Sequence, residues 1–173
     1  MTTRKKITLA IFLFIFGLIV YYFFPEKKLP PHIQINKLVV YKSKRQLLAY
    51  SNGELIKTYK ISLGKAPLGH KEFEGDNKTP EGKYKIDCRE TISKFHKKLC
   101  ISYPNKTDIV HAKRIGKEAG SNVEIHGLDN RYGFIGKFHR WYDWTSGCIA
   151  VTDEEIDELY NAVKINTQIE INP

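Results

Sequence analysis

The sequence predicts a mainly β domain with one or two helices, preceded by a single N-terminal transmembrane helix. Three observations carry this prediction. Short runs of alternating apolar and polar residues are separated by turn-forming residues, one soluble segment repeats its apolar residues at helical spacing, and residues 7–24 form an uncharged apolar run. The 173 residues suffice for one domain that buries a core without the help of a metal.

The apolar run at 7–24 is long enough to cross a hydrocarbon layer of about 30 Å. A cleaved signal peptide is the alternative, but the usual apolar region of such a peptide has about 7–15 residues, and no small-residue cleavage site follows this run. Arg4, Lys5 and Lys6 precede it, so the positive-inside rule places residues 1–6 in the cytoplasm. We expect an uncleaved anchor in the inner membrane, with the domain on the periplasmic or extracytoplasmic side.

Residues 25–35 contain three prolines and are predicted to form a short stiff linker between the anchor and a domain at 36–173. Alternating patterns and turn residues divide the first part of this domain into a β-meander. The predicted strands lie at 38–41, 46–50, 55–61, 83–86, 123–125 and 167–171.

The predicted soluble helix begins after Thr152. Thr152 and Glu155 have the spacing of a capping box, in which each side chain binds the backbone N–H of the other residue. The apolar residues that follow recur at the spacing of one helix face and predict ordinary packing against the core. They are Ile156, Leu159, Tyr160 and Val163.

The chain carries a net charge of +9, with its lysines and arginines spread along the sequence. Outside the inner membrane this charge suits acidic peptides and anionic lipids, although scattered lysines also serve simply to keep a surface soluble. A dense basic block with interleaved aromatic residues is absent from the sequence, which argues against a nucleic-acid groove.

Cys148 and His126 are the candidates for chemistry. Cys148 follows Gly147 in a turn four residues before Thr152, and His126 ends a predicted strand. A thiol is a weak nucleophile until a neighbouring imidazole takes its proton, and a glycine-flanked turn lets backbone N–H groups converge on an oxyanion. The alternatives are a small buried cysteine and a structural histidine. A zinc site that includes His139 fits none of the usual zinc spacings, so no metal is predicted.

Three cysteines in an oxidising compartment leave one unpaired in any intramolecular scheme. If Cys148 is the working thiol, Cys88 and Cys100 can pair and close the lysine-rich segment between them. Two independent buried thiols are the alternative, because sequence does not test the geometry of a bridge.

Four segments of the sequence resemble those of a known family. They read VEIHGL, WTSGCIAVTDEEIDELY, DNKTPEGKYKI and ISYPN. They resemble the L,D-transpeptidase (YkuD-like) catalytic domain family, which remodels bacterial peptidoglycan, and within it a subgroup whose cysteine motif reads DWTxGCIAV. The resemblance covers 36–173 and implies a curved mixed β-sheet sandwich without a cofactor.

The resemblance implies that Cys148 is the nucleophile and His126 the base, with the backbone carbonyl of Gly127 orienting the imidazole. Gly147 and Ser146 complete the catalytic turn as oxyanion or orienting residues. Two positions depart from the family pattern, because Ser146 stands where a second histidine is usual and Ala150 where arginine or asparagine is common.

Substrate contacts are expected from the loop at 128–145 and from a segment beside the cleft. An arginine in such a loop can bind a carboxylate through two parallel hydrogen bonds. For His139 the alternative is an exposed loop histidine that does no chemistry, and for Tyr103 it is a plain turn. The expected substrate-binding residues are Tyr103, Arg131, His139, Arg140 and Trp144.

The implied reaction begins with attack of Cys148 on the carbonyl of the third residue of a stem peptide. The terminal D-alanine leaves and a thioester remains, which an amine of a second stem peptide or of a wall-linked lipoprotein resolves. The alternatives are a hydrolase, which is either an L,D-carboxypeptidase or an amidase that releases such a lipoprotein, and a non-catalytic peptidoglycan-binding module.

Overall fold

A computed structural model of the chain describes residues 2–173. Helices and strands follow in the order α1 (Thr3–Phe23), β1 (Ile35–Tyr41), β2 (Gln46–Ser51), β3 (Glu54–Lys60), β4 (Gly82–Ser93), β5 (His96–Ile101), α2 (Lys106–Arg114), β6 (Glu124–His126), a 3₁₀ helix (Gly133–Trp141), β7 (Ile149–Ala150), α3 (Asp153–Ala162) and β8 (Val163–Asn172). The prediction of a mainly β domain after an N-terminal apolar helix is confirmed.

The eight strands form one mixed sheet in the order β3-β2-β1-β8-β4-β5-β6-β7. The pairs β1–β8 and β6–β7 are parallel, and the other neighbouring pairs are antiparallel. Ser62, just after β3, pairs with Ala150 in β7 through two backbone hydrogen bonds of 3.0 and 2.9 Å. The two ends of the strand order therefore meet, and the sheet curls into the curved form that the resemblance implies.

Inward-facing strand residues build one core, and α3 packs against it. Tyr59, Ile61 and Leu63 alternate along the chain and are fully buried, as their spacing predicts. Ile156 and Leu159 on α3 are also fully buried. The capping box at the start of α3 is present in the structure, so the predicted helix is confirmed together with its starting residue.

Helix α2 and the outer part of β4 were not predicted from the sequence. Asn105 caps α2, and Asp108 returns a hydrogen bond to the Asn105 backbone, but Ala112 is the buried apolar residue of this helix. A helix with so little apolar surface gives no periodic signal. Beyond residue 86, β4 continues as an exposed polar arm that pairs with β5, so the expected lysine-rich loop is a hairpin instead.

Within the described residues, α1 is the one helix that is long and apolar enough to cross a membrane, with a mean hydropathy of 2.2 over its apolar window. None of its residues is buried in the protein. Its carboxyl end contacts the 3₁₀ helix, which belongs to the loop between β6 and β7.

Candidate active site

His126 ends β6, and Cys148 lies in the turn directly before the neighbouring strand β7. His126 pairs with Ala150 in the parallel ladder between β6 and β7, and Cys148 stands two residues before Ala150. Side chains two residues apart along an extended chain share a face, so this register directs Cys148 toward the side of the sheet that carries His126. Ile125, just before His126, and Ile149, just after Cys148, point into the core and are fully buried.

The imidazole of His126 is oriented by the next residue of the chain. Its Nδ1 atom lies 2.7 Å from the carbonyl oxygen of Gly127. Because a carbonyl oxygen only accepts, Nδ1 carries the hydrogen and Nε2 has a free lone pair. Burial, with only 2% of the residue exposed, lowers the pKa of His126 to about 4, against the opposing effect of the Gly127 hydrogen bond. The ring is therefore a neutral base at neutral pH.

Two aromatic rings enclose this imidazole. The ring of Phe95, at the tip of the β4–β5 hairpin, lies 4.5 Å from the His126 ring centroid, and the ring of Trp144 lies 5.7 Å away in an edge contact. These apolar walls explain the low pKa. Phe95 falls in the segment that the sequence assigned to a lysine-rich loop, so no sequence pattern marked it as part of the site.

Close packing around position 127 leaves no room for a side chain, which explains the glycine there. A side chain there would place its Cβ 2.6 Å from Oδ1 of Asp153 and 3.1 Å from Ile156. The same Asp153 oxygen accepts a 2.7 Å hydrogen bond from the backbone N–H of Leu128. The first turn of α3 thus fixes the backbone that carries the orienting carbonyl, a contact between segments that are distant in sequence.

Cys148 is the free cysteine of the chain, whereas Cys88 and Cys100 face each other on β4 and β5 with their Cα atoms 4.9 Å apart, a separation that permits the expected disulfide. The Cys148 thiol lies 3.4 Å from the carbonyl oxygen of Asn122, to which it donates. Burial raises the pKa of the thiol to about 11, although the Glu124 backbone N–H acts in the opposite direction. The resting site therefore holds a neutral thiol and a neutral imidazole.

A network of hydrogen bonds centred on Thr145 holds the cysteine turn. Its hydroxyl donates to the carbonyl of Cys148 at 2.7 Å and accepts from the N–H of Gly147 at 3.1 Å. Its backbone pairs with Leu63 and Lys65, in the segment that closes the sheet. Since the Gly147 N–H is occupied by Thr145, Gly147 is an orienting residue rather than an oxyanion donor in this geometry.

Gly147 also permits a close approach of two chains. Its φ of +132° is one that side-chain-bearing residues rarely adopt, and a Cβ here would lie 2.7 Å from the carbonyl oxygen of Lys78. Ser146, in contrast, is exposed. The turn is thus held on both sides of the serine that replaces the usual histidine.

Asp143 ties the loop at 128–145 to the same segment. One carboxylate oxygen accepts from the backbone N–H of Leu63 at 2.9 Å, and the other pairs with Arg45 at 2.7 Å. Leu63 in turn accepts from the N–H of Thr145 at 3.1 Å. The carboxylate therefore positions the loop against the cysteine turn.

His139 is buried, with 2% exposed, so the alternative of an exposed loop histidine is wrong. The Ser62 hydroxyl donates its hydrogen to the carbonyl of His139 at 2.8 Å. In its 3.2 Å contact with Nδ1 of His139 the same hydroxyl can therefore only accept, so Nδ1 carries the hydrogen. The remaining nitrogen, Nε2, is buried without a hydrogen-bond partner, as is Nε1 of Trp144. Both residues line a cavity of about 100 Å³ under the loop, together with Leu128, Asp129, Tyr132, Ile135 and Tyr142.

The other expected substrate residues already have partners within the chain. Arg140 is buried between Glu155 and Glu26, each at 2.8 Å. Arg131 pairs with Asp129 at 3.0 Å on the surface, and the buried hydroxyl of Tyr103 donates to a backbone carbonyl. Arg140 and Tyr103 therefore make contacts that hold the domain together.

Charged residues that the sequence did not single out lie beside His126 and Cys148. Lys98 pairs with His126 in the β5–β6 ladder, and its ammonium binds Glu124 at 2.8 Å and Glu90 at 3.2 Å. The backbone of Glu124 also contacts the Cys148 thiol, so this cluster lies next to the cysteine. Nothing in the sequence indicated it, since the three residues come from three strands.

Known proteins share this fold and sequence. Residues 35–171 match the YkuD family, described as the L,D-transpeptidase catalytic domain. The chain is 32% identical over 141 residues to the candidate L,D-transpeptidase YafK of Escherichia coli strain K12, an alignment that covers 78% of this chain and 47% of YafK. The chain thus spans about half the length of the curated relatives it matches.

Two solved structures are similar in fold. Pgp2 of Campylobacter jejuni, described as a helical cell shape determining protein, superposes as its K307A mutant with a TM-score of 0.61 at 23% identity, covering 81% of this chain and 47% of that one. Bd1075 of Bdellovibrio bacteriovorus superposes with a TM-score of 0.54 at 24% identity, covering 82% and 49%. From its sequence match and its curved sheet, the chain belongs to the L,D-transpeptidase catalytic domain family.

Proposed function

We propose that this protein is a membrane-anchored cysteine acyltransferase that acts on peptidoglycan stem peptides. Membership of the family supports this reaction class. The single observation that carries the assignment to this site is the orientation of His126: Gly127 occupies Nδ1, which leaves Nε2 free on the side of the sheet toward which the register directs Cys148.

In the first half-reaction, His126 Nε2 takes the thiol proton while Sγ of Cys148 attacks the carbonyl carbon of the third stem residue. A C–S bond forms, the C–N bond to the terminal D-alanine breaks, and the imidazolium returns its proton to the leaving amine. In the second half-reaction an acceptor amine attacks the thioester and gives its proton to His126. The new amide leaves, and the thiol regains its proton.

Because both groups are neutral at rest, the proton moves from the thiol to the imidazole during the attack and not before it. With the thiol pKa near 11 and the imidazole pKa near 4, a thiolate–imidazolium pair is not the resting state. The thiol is therefore activated only as the C–S bond forms. We expect slow alkylation by iodoacetamide at neutral pH and much faster acylation by a bound stem peptide.

Trp144 and His139 form the polar part of the proposed substrate pocket. Trp144 contacts the catalytic ring and keeps an unpaired indole N–H, and His139 offers an unpaired acceptor, Nε2, in the same cavity. Burial lowers the pKa of His139 to about 3, so it accepts without carrying a charge. A neutral donor–acceptor pair of this kind suits an uncharged amide of the stem peptide.

For location, we propose an anchor at 7–24 with residues 1–6 in the cytoplasm, a linker at 25–35 and a catalytic domain at 36–173 outside the inner membrane. The length and hydropathy of α1 support the anchor. Protein recovered from membranes should retain the residues of the anchor when it is sequenced by mass spectrometry, and it should resist extraction by salt. A shortened soluble form that begins near residue 25 would identify a cleaved signal peptide instead.

The full-length chain in detergent, incubated with purified disaccharide tetrapeptides, tests the function by mass spectrometry of the products. An acyltransferase releases D-alanine and yields a cross-linked dimer, whereas a hydrolase releases D-alanine and yields a tripeptide. Cys148→Ala should yield neither. A binding module would retain the muropeptides unchanged and would form no covalent adduct with a carbapenem, which a working Cys148 should form.

A further inference from the structure

The end of α1 is packed against the 3₁₀ helix rather than joined to the domain by the linker alone. The hydroxyl of Tyr22 donates to the carbonyl of Phe134 at 2.9 Å. The ring of Tyr21 lies 5.7 Å from that of Phe138 and 5.9 Å from that of Trp141. The last turn of α1 and this segment therefore form one aromatic cluster.

Ion pairs hold the residues that follow α1 on the same segment. Glu26 pairs with Arg140 at 2.8 Å and with Lys137 at 3.5 Å, and Lys137 also binds the carbonyl of Phe24. Arg140 is buried and pairs in turn with Glu155 on α3. The helix end is thus tied through the loop to the domain core.

Large aromatic side chains surround this junction and face away from the protein. We call them the aromatic patch, and the exposed fraction of each exceeds 60%. They are Phe23 (74%), Phe24 (65%), Phe134 (74%) and Trp141 (61%). Exposed apolar surface of this kind marks a contact site.

We propose that the aromatic patch lies in the headgroup region of the same bilayer that α1 crosses, so that the domain rests on the membrane through its 3₁₀ helix. The inference requires that α1 spans the membrane, and it is independent of the proposed reaction. The length of α1 determines the height of the patch relative to the bilayer. Its 21 residues, at about 1.5 Å each, span the hydrocarbon layer of about 30 Å. Phe23 and Phe24 then stand at the interface, and the rest of the patch lies beside them.

The chemistry of the patch and of its border fits lipid rather than a protein partner. Tryptophan and tyrosine prefer the membrane interface, where the ring is in an apolar layer and its polar atom is in water. An unpaired basic residue near a bilayer attracts an anionic lipid surface by about 1 kcal/mol. Lys28 lies beside Phe23 and Phe24, whereas Lys137 is paired with Glu26.

Seating the 3₁₀ helix on the bilayer would also hold the catalytic loop. The same segment carries the buried His139, which is bonded to Ser62, and it leads directly to Trp144 against His126. The membrane then supports the loop that packs Trp144 against His126, and the site faces substrate at a fixed height above the lipid.

Tryptophan fluorescence of the full-length chain in vesicles of phosphatidylethanolamine and phosphatidylglycerol tests this proposal. Trp144→Phe leaves Trp141 as the reporter in the patch, and the matched variant Trp141→Phe leaves the enclosed Trp144. Lipids brominated near the headgroup should quench Trp141 at least twofold more than Trp144. Acrylamide in the water should quench Trp141 of the full-length chain in these vesicles much less than it quenches free tryptophan amide in the same buffer.

Two results would overturn the seating. Strong acrylamide quenching of Trp141 without bromolipid quenching would place the patch in water. Protection from both quenchers would mean that protein covers it, either a partner or a second copy of the chain. If Trp144→Phe does not fold, Phe134→Trp combined with Trp141→Phe provides a second reporter, whose signal is read against Trp141→Phe alone.

Discussion

The two halves of the sheet differ in how their strands are held. The half formed by β3, β2, β1 and β8 consists of strands of six to ten residues, and β2 alternates toward the core along its whole length. The half that carries Cys148 and His126, the proposed catalytic half, ends in β6 and β7, with three and two residues. These short strands are held by side chains from elsewhere, namely Thr145, Asp143 and Asp153. The catalytic half is therefore positioned by contacts distant in sequence, whereas the other half is positioned by its own pattern.

The largest expected effect concerns Cys148 and His126 in the catalytic half. Cys148→Ala and His126→Ala should each lower turnover of the tetrapeptide by at least about 1,000-fold, and the double variant should be little worse, because the two groups act as one unit. The release of D-alanine measures this. Retention of more than a tenth of the activity in either single variant, with the fold intact, would remove that residue from the mechanism.

Two glycines, one in each half, separate backbone strain from packing. Gly147→Ala combines a φ of +132° with a Cβ at 2.7 Å from a carbonyl oxygen, whereas Gly53 has a φ of +87° with open space around its Cβ position. We expect Gly53→Ala to cost about 1 kcal/mol of unfolding free energy and Gly147→Ala at least about 2 kcal/mol more. Urea unfolding measures both. Equal losses would show that the cysteine turn relaxes freely.

Acid should destabilise the folded chain through the two buried histidines of the catalytic half. The pKa of His126 falls from about 6.5 when unfolded to about 4 when folded, and that of His139 to about 3. The unfolded chain therefore binds more protons below pH 6.5, so stability decreases as pH falls from 6.5 toward 4, by about 3 kcal/mol for His126 alone. His126→Phe should reduce this slope in urea unfolding. A slope that His126→Phe leaves unchanged would contradict the burial of the neutral ring.

The catalytic rate should also depend on the protonation state of His126. Because His126 must be neutral to accept the thiol proton, kcat/KM should hold from pH 7 down to about 5 and fall only near the lowered pKa of about 4. The rate of D-alanine release across this pH range measures the acid limb. A limb near pH 6.5 would mean that the ring is solvated in the working enzyme.

The smallest effect is expected at Ser146. Its side chain is exposed, and the turn is held by the neighbouring Thr145, so Ser146→Ala should cost less than about tenfold, or 1.4 kcal/mol, in kcat/KM. Thr145→Val is the matched variant, because it removes both hydroxyl hydrogen bonds at similar volume, and it should cost more. A thousandfold loss in Ser146→Ala with the fold intact would make its hydroxyl a catalytic group.

The comparison of the two halves explains how far the sequence predicted the structure. Strands with one buried face, such as the one that contains Tyr59, carry a period of two, and the capping box at Thr152 is local, so both were predictable. The polar arm of β4 and helix α2 bury little apolar surface, and their positions depend on pairing and on hydrogen bonds such as that between Asp108 and Tyr84. Periodicity carries no information about such segments.

For the site, the sequence by itself determined the residue types and the local contact between His126 and Gly127, because a side chain reaches the next carbonyl without any tertiary arrangement. The tertiary structure decided that Phe95 and Trp144 enclose this ring, that Arg140 is bound to Glu155 and that His139 is buried. The physical reason is that burial and charge pairing arise between segments far apart in sequence. Their pKa values and partners exist only once the curved sheet has closed.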